Sequence, residues 1–218
     1  PTGWRGEKGV TPLMQLKGLR VAITGSRRAS ELARLISNVG GIPYVAPTVG
    51  IEVPEDVDLQ VEGLVHRIVG GEIDYVVFMT GPGVYRLMST AEKLGFEREL
   101  VEILNRIAIV ARSSKPQKVL ERYGVRVSLV PSDNTSEGIA EEMKKLDLRG
   151  RCVAILWYGA SQSILRETLE SGGAKVFEAM AYTYSMELEN RGAEVLAAIG
   201  FKSMPPDEGK ILQLVRDL

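Results

Sequence analysis

The chain alternates short, continuous apolar runs with longer stretches in which apolar positions recur every three or four residues. "VAIT", "VVFM", "IAIV" and "VAILW" lack the every-second-residue pattern of a half-exposed strand. Runs of this kind predict strands covered on both faces, as in a parallel sheet. Strands are predicted at Leu19–Thr24, Pro43–Val53, Tyr75–Met79, Arg106–Ala111, Arg126–Val130, Cys152–Tyr158 and Lys175–Tyr182, with a further candidate at Val195–Ile199. Helical periodicity predicts helices at Ala29–Val39, Leu59–Val69, Pro116–Tyr123, Ser136–Leu146, Ser163–Ser171 and Pro206–Leu218. Several of them run into glycine stops (Gly40-Gly41, Gly70-Gly71, Gly124 and Gly172-Gly173). Strand–helix alternation with short connections predicts an α/β fold.

Two segments break the alternation. "IPYVAPTVGIEVPED" is extended across a proline and a glycine, which a central strand tolerates poorly. Its first part reads as strand and Pro47–Val53 as a crossing segment. "AYTYSMELENRG" is similarly polar and extended. Side by side, the two would form a two-segment linker between two lobes with parallel sheets flanked by helices. This predicts an inserted lobe at residues 51–184, within a terminal lobe made of residues 1–50 and 185–218. Residues 1–15 read as a flexible arm without the apolar core of a signal peptide. The segments beginning at Leu19 and at Gly150 share one plan of strand, small polar turn, helix, Gly-Gly stop and strand. That plan fits a duplicated half-domain, and equally a chance likeness of two βαβ units.

Composition narrows the chemistry. The 218 residues suffice for one large domain or two small ones. A net charge of −1 gives no global pull toward nucleic acid. No apolar stretch approaches the roughly 20 residues of a membrane span. The single Cys152 forbids an internal disulfide and fits a reducing cytoplasm. It reads as a small core residue, and the single His66 as a surface or boundary residue. No metal site is predicted, and there is no nucleophile elbow and no Cys/His pair.

Candidate chemistry sits in the turns between strands and helices. "TGSRRAS" offers Thr24, Ser26 and Arg27; "TGPGV" offers Thr80, Gly81 and Gly83. "ARSSKP" offers Arg112, Ser113 and Ser114; "WYGASQS" offers Gly159 and Ser161; "TSEG" adds Ser136. Such turns present backbone N–H groups at helix N-termini, where the dipole favours anions. Several of them together predict a ligand with several anionic groups. The same hydroxyls also serve as ordinary helix caps, so each turn alone is as well explained by structure. "TGSRRAS" lacks the Gly-Lys-Ser/Thr ending of a phosphate loop and is not GxGxxG, which leaves a nucleotide site unsupported.

With these motifs in their order, the chain resembles the uroporphyrinogen-III synthase family. The resemblance runs from "LKGLRVAITGSRRASELARLISNVGGIPYVAPTVGIE" through "DYVVFMTGPGV", "RIAIVARSSKPQKVLERYGV" and "VPSDNTSEGIAEEM" to "VAILWYGASQSILRETLESGGAKVFEAMAYTY". It implies a two-lobed α/β lyase of porphyrin and heme biosynthesis, cytoplasmic and without metal or organic cofactor. Its substrate would be hydroxymethylbilane, a linear tetrapyrrole with eight carboxylates, closed to uroporphyrinogen III with inversion of the last pyrrole ring. Thr80 falls where the family has Ser, and Ser114 where it has Thr. Tyr182 matches the family's tyrosine, which implies a proton donor to the departing hydroxyl; interface packing explains that residue equally well. An ordinary tyrosine pKa of about 10 keeps such a donor protonated at neutral pH.

Departures also follow. Ala111 stands where the family has Gly, and "YGASQS" lacks a basic residue after its glycine. The family's second strand-turn-helix units have no counterpart before Leu218. The terminal lobe is therefore expected to be incomplete, and the chain a truncated piece, inactive alone or completed by another copy. The resemblance implies a monomer when complete, with self-association open to the shorter chain, and no nucleic-acid or membrane partner. The competing expectation is a non-catalytic two-lobed sensor of an anionic small molecule.

Overall fold

The computed structural model describes residues 16–26, 28–52, 55–159, 162–185, 197 and 204–216. The expected arm at 1–15 and all but one residue of the strand candidate at 195–199 lie outside them. The architecture is α/β. A small sheet holds β1 (Arg20–Ile23) and β2 (Ile42–Val45), parallel, joined by α1 (Ala29–Asn38). The larger sheet begins with β3 (Gly50–Glu52) and α2 (Glu55–Val69). It continues with β4 (Tyr75–Phe78), α3 (Gly81–Leu94), α4 (Glu97–Leu104), β5 (Ala108–Ala111) and α5 (Ser114–Arg122). The elements α6 (Ser136–Met143), β6 (Cys152–Tyr158), α7 (Ser163–Ser171), β7 (Lys175–Ser185) and α8 (Glu208–Arg216) complete the order.

Strand order in the larger sheet is β3-β7-β6-β4-β5. The last four strands are parallel, and β3 pairs antiparallel with the end of β7 (Gly50 with Ser185, Glu52 with Thr183). The two extended segments thus do run side by side. The five inner residues of β6 are all buried, because helices cover both faces. One face packs Leu64, Leu87, Leu100 and Leu120 of α2 to α5 against Phe78, Leu156 and Ala179. The other packs Ile139 and Leu165 of α6 and α7 against Val77, Val153 and Trp157. Arg86 of α3, 4% exposed, is tied to Asp58 of α2, and burial pulls its pKa below the ordinary arginine value. The far end of the chain returns to the small sheet. The Met204 amide donates to the Ser26 carbonyl at 3.0 Å and the Tyr44 hydroxyl to the Lys210 carbonyl at 3.2 Å.

The strand expected at 43–53 is two short strands, with Ala46 to Val49 between them outside any ladder. The expected strand at 126–130 is a single bridge between Leu129 and Val110. Backbone bonds from Ser128 and Leu129 to the Ile109 carbonyl hold it there, and the Ser128 hydroxyl accepts from the Ile109 amide at 3.1 Å. Asn105 likewise binds the Gly124 carbonyl and the Arg126 amide. This segment covers the outer edge of β5, which would otherwise be open to pairing. Near its end β7 carries a bulge. Trp157 pairs with Met180 and Tyr158 with Tyr182, so Ala181 is an extra residue. Ala181 and Tyr182 consequently share one core cluster, although neighbours on a regular strand face opposite sides. Among the described residues no helix is long and apolar enough to cross a membrane.

Candidate active site

Beta strands β4 and β5 end together, and the turns that follow them start α3 and α5. The Thr80 hydroxyl accepts from the Gly83 amide at 3.1 Å, which makes Thr80 the N-cap of α3. Pro82 follows in the first turn, where its missing N–H costs nothing. The two glycines are there for closeness. A Cβ on Gly81 would stand 3.2 Å from the Val119 side chain, and one on Gly83 3.3 Å from the Thr80 hydroxyl. A buried strand therefore stops in "TGPG" because α3 must begin at once and pack tightly on α5. Ser113 caps α5 by accepting from the Lys115 amide at 3.4 Å.

These two turns line one pocket of about 590 Å³. Of the sequence-predicted residues it gathers Thr80, Gly81, Arg112 and Ser113. Gly83 and Ser114 follow these in the chain without lining it, and the Gly83 amide is taken by its cap. Arg28, at the head of α1, reaches the same pocket from the small sheet's side. Its backbone has φ 54°, the left-handed region that costs a non-glycine residue roughly 1–3 kcal/mol. Glu31 accepts from its guanidinium and holds it charged, with a pKa above the ordinary value.

Other predicted residues stand elsewhere. Thr24 and Ser26 follow β1, where their carbonyls accept from the Thr48 and Met204 amides. Ser136 is 3% exposed in a turn too tight for any side chain at Gly138, whose Cβ would meet the Asp133 carbonyl at 2.2 Å. The Gly159 amide donates to the Tyr182 carbonyl at 2.9 Å, and its own carbonyl accepts from Thr183. Arg27 and Ser161 lie outside the described residues. Tyr182 is 2% exposed, enclosed in the core with its ring centroid 5.9 Å from that of Tyr158. His66 is exposed on α2, with Phe96 edge-on to its ring.

Arg112 links these parts. It leaves the end of β5, crosses the end of β4 and donates to the Tyr158 hydroxyl at 2.6 Å, with its guanidinium 5.0 Å from the centre of that ring. Its Nε is buried with no hydrogen-bond partner among the described residues. Sequence reasoning singled out neither Tyr85, Lys118 nor Arg122, which line the pocket along α3 and α5. The signal was present: Lys115, Lys118 and Arg122 are spaced three and four apart, which sets them on one helix face. Among the described residues no carboxylate lines the pocket. A second pocket, about 470 Å³ against α6 and α7, contains none of the predicted residues.

Fold and pocket together define a class: an α/β protein whose strand-end turns and cations line one concave pocket. Residues 30–204 match the family model described as Uroporphyrinogen-III synthase HemD, and the chain belongs to that family. It is 29% identical over 204 residues to the Bacillus subtilis protein named "Uncharacterized protein YjjA", covering 93% of this chain and 67% of that one. It is 29% identical over 170 residues to a "Putative uroporphyrinogen-III synthase" of Methanothermobacter thermautotrophicus, covering 78% of this chain and 63% of that one. A crystal structure of a mutant uroporphyrinogen III synthase from Thermus thermophilus superposes with a TM-score of 0.67 at 25% identity, covering 90% of this chain and 67% of that one. The wild-type form gives 0.57 at 24%, covering 91% of this chain and 67% of that one, which supports the fold alone. The chain thus spans about two thirds of the length of the proteins it matches.

Proposed function

We propose that the chain carries uroporphyrinogen-III synthase activity, closing hydroxymethylbilane with inversion of its last pyrrole ring. The observation that carries this reading is the pocket of about 590 Å³ at the ends of β4 and β5, lined among the described residues by five cations and no carboxylate. Such a lining suits a substrate with many carboxylates and no fixed cation. Catalysis on this reading is chiefly positioning, which shortens the search for the ring carbon that must attack. Arg28 and Arg112 hold acidic arms from opposite sides, and Thr80 and Ser113 keep the two turns closed behind them. The carbon–oxygen bond of the hydroxymethyl group breaks, and the hydroxyl leaves as water with a proton from Tyr158, which Arg112 ties to the pocket. The last ring attacks the freed carbon through its own substituted carbon. The bond from that ring carbon to the preceding bridging carbon then breaks and re-forms at the ring's free α carbon, and the proton that this α carbon sheds returns to the phenolate.

The test is product isomer analysis. The purified chain, incubated with hydroxymethylbilane, is expected to raise the fraction of the inverted isomer above the uncatalysed reaction, which gives the uninverted one. Only uninverted product, formed at the uncatalysed rate, rejects the reading. A second reading is a sensor of an anionic small molecule. It is favoured by a pocket lining that, among the described residues, holds no carboxylate or histidine and so offers little for general acid–base work. Saturable calorimetric binding of a small organic acid, with none of a tetrapyrrole, selects it.

A further inference from the structure

The pocket does not stop at the strand ends. It continues as a groove between α3 and α5, whose floor is Pro116 and Val119 and whose far wall is Tyr85. Lys115, Lys118 and Arg122 stand along its rim on one face of α5. From Lys115 to Arg122 a helix rises about 10 Å. We propose that this groove is a subsite for one acid-bearing pyrrole ring, by which the protein counts its ligand's carboxylates. The subsite rests on the reading of the pocket as a tetrapyrrole site.

Three observations support it. First, the shape and chemistry match: a flat apolar floor suits a ring, and a cationic rim suits acidic arms reaching outward from it. Second, the charges are unopposed. Among the described residues Arg112, Lys115, Lys118 and Arg122 form no ion pair, although four cations face one pocket, whereas the isolated pairs Lys144–Glu141 and Arg166–Glu170 on α6 and α7 are each neutralised. Four positive charges around one concavity repel each other until an anion neutralises them. Third, part of the rim is pre-set. Arg122 donates to the Tyr85 hydroxyl across the groove at 3.2 Å, and Tyr85 is braced by the Tyr123 ring at 6.0 Å between centroids. A guanidinium has five N–H donors, so this one bond orients Arg122 and leaves others for a ligand. A single phosphate would reach only part of a rim about 10 Å long.

The experiment titrates the intact chain with uroporphyrin (eight carboxylates) and coproporphyrin (four), read by fluorescence. The wild type is expected to prefer the octacarboxylate by about ten-fold, equivalent to roughly 1.4 kcal/mol. The paired change Lys118→Gln with Arg122→Gln is expected to bring the two affinities within about three-fold at unchanged Tm, because both side chains are exposed. The remote pair Lys144→Gln with Lys145→Gln removes the same charge from α6 and is expected to leave the preference intact. Tyr85→Phe keeps the groove's shape and releases Arg122, so it is expected to lose part of the preference. An unchanged preference in the groove variant, or an equal loss in the remote one, overturns the subsite. Isomer analysis separates the two readings. Inverted product from a wild type whose porphyrin preference ignores these residues rejects the subsite and leaves the enzyme. A preference that depends on the groove, with only uninverted product, rejects the enzyme and leaves the subsite.

Discussion

Arg112 joins two tyrosines of very different exposure. Its guanidinium meets the half-buried Tyr158, and Tyr158 in turn lies beside the enclosed Tyr182. The Arg112 hydrogen bond orients the Tyr158 hydroxyl and connects it to the pocket that Arg112 lines, whereas Tyr182 is enclosed. The geometry therefore favours Tyr158 over Tyr182 as the group that gives up the proton. Tyr158→Phe is expected to lower kcat by about 100-fold with KM unchanged, within the usual span of general acid catalysis. Tyr182→Phe is expected to lower it less than about three-fold on the same scale. Steady-state kinetics on both variants decide, and the reverse order returns the role to Tyr182. Thr80 is a different case, because its hydroxyl is already committed to the Gly83 amide. Thr80→Ala is expected to cost about 1 kcal/mol of stability by denaturant melting, the usual value of a cap. Thr80→Ser restores it, and porphyrin binding changes little in either.

At the scale of elements, the legible parts were those whose sequence signal is also their physical cause. The unbroken apolar run of β6 is buried on both faces, and the "TGPGV" turn does lead into a helix, α3, although no bounds for that helix were predicted. α1, α2 and α7 end within a residue of where glycine stops placed them. The missed parts depend on partners distant in sequence. α4 starts directly after the left-handed Gly95 that ends α3, so one glycine closes one helix and leads into the next. Residues 126–130 have strand-like composition, yet they pair with β5 only around Leu129, and Asn105 and Ser128 add side-chain bonds on either side. The site was legible as a set of turns and not as a place. Thr80, Gly81, Arg112 and Ser113 converge because β4 and β5 are neighbours. Ser136 and Gly159 do not, because their turns serve packing and the β6–β7 ladder. Strand order decides this, and no single turn encodes it.

Across the whole molecule stability is unevenly distributed. The larger sheet is sandwiched between two extensive apolar clusters, whereas among the described residues the small sheet buries only Ile23, Ala29 and Ile36, with partly exposed neighbours such as Val21 and Val45. Leu19, Leu35 and Ile42, each more than half exposed, all belong to or adjoin that small unit. Local opening is cheapest where few apolar groups are buried. Hydrogen exchange is therefore expected to exchange the amides of β1, α1 and β2 by a local opening, with protection at least about ten-fold below that of β4 and β6. Equal protection in both sheets rejects this. Arg28 sits on the small unit and reaches the pocket of the large one, so a bound polyanion is expected to slow exchange in α1 most.

The single surplus residue in β7 has a reach beyond its own position. Because a pleated ribbon reverses its sides at every step, Ala181 acts as a half-turn inserted into the strand, and whatever follows inherits the new orientation. Tyr182 stands level with Tyr158, and the ribbon runs on to pair Thr183 with Glu52. The surplus residue therefore turns two adjacent side chains, Ala181 and Tyr182, into one side of the core, where an unbroken ribbon would deliver a single one.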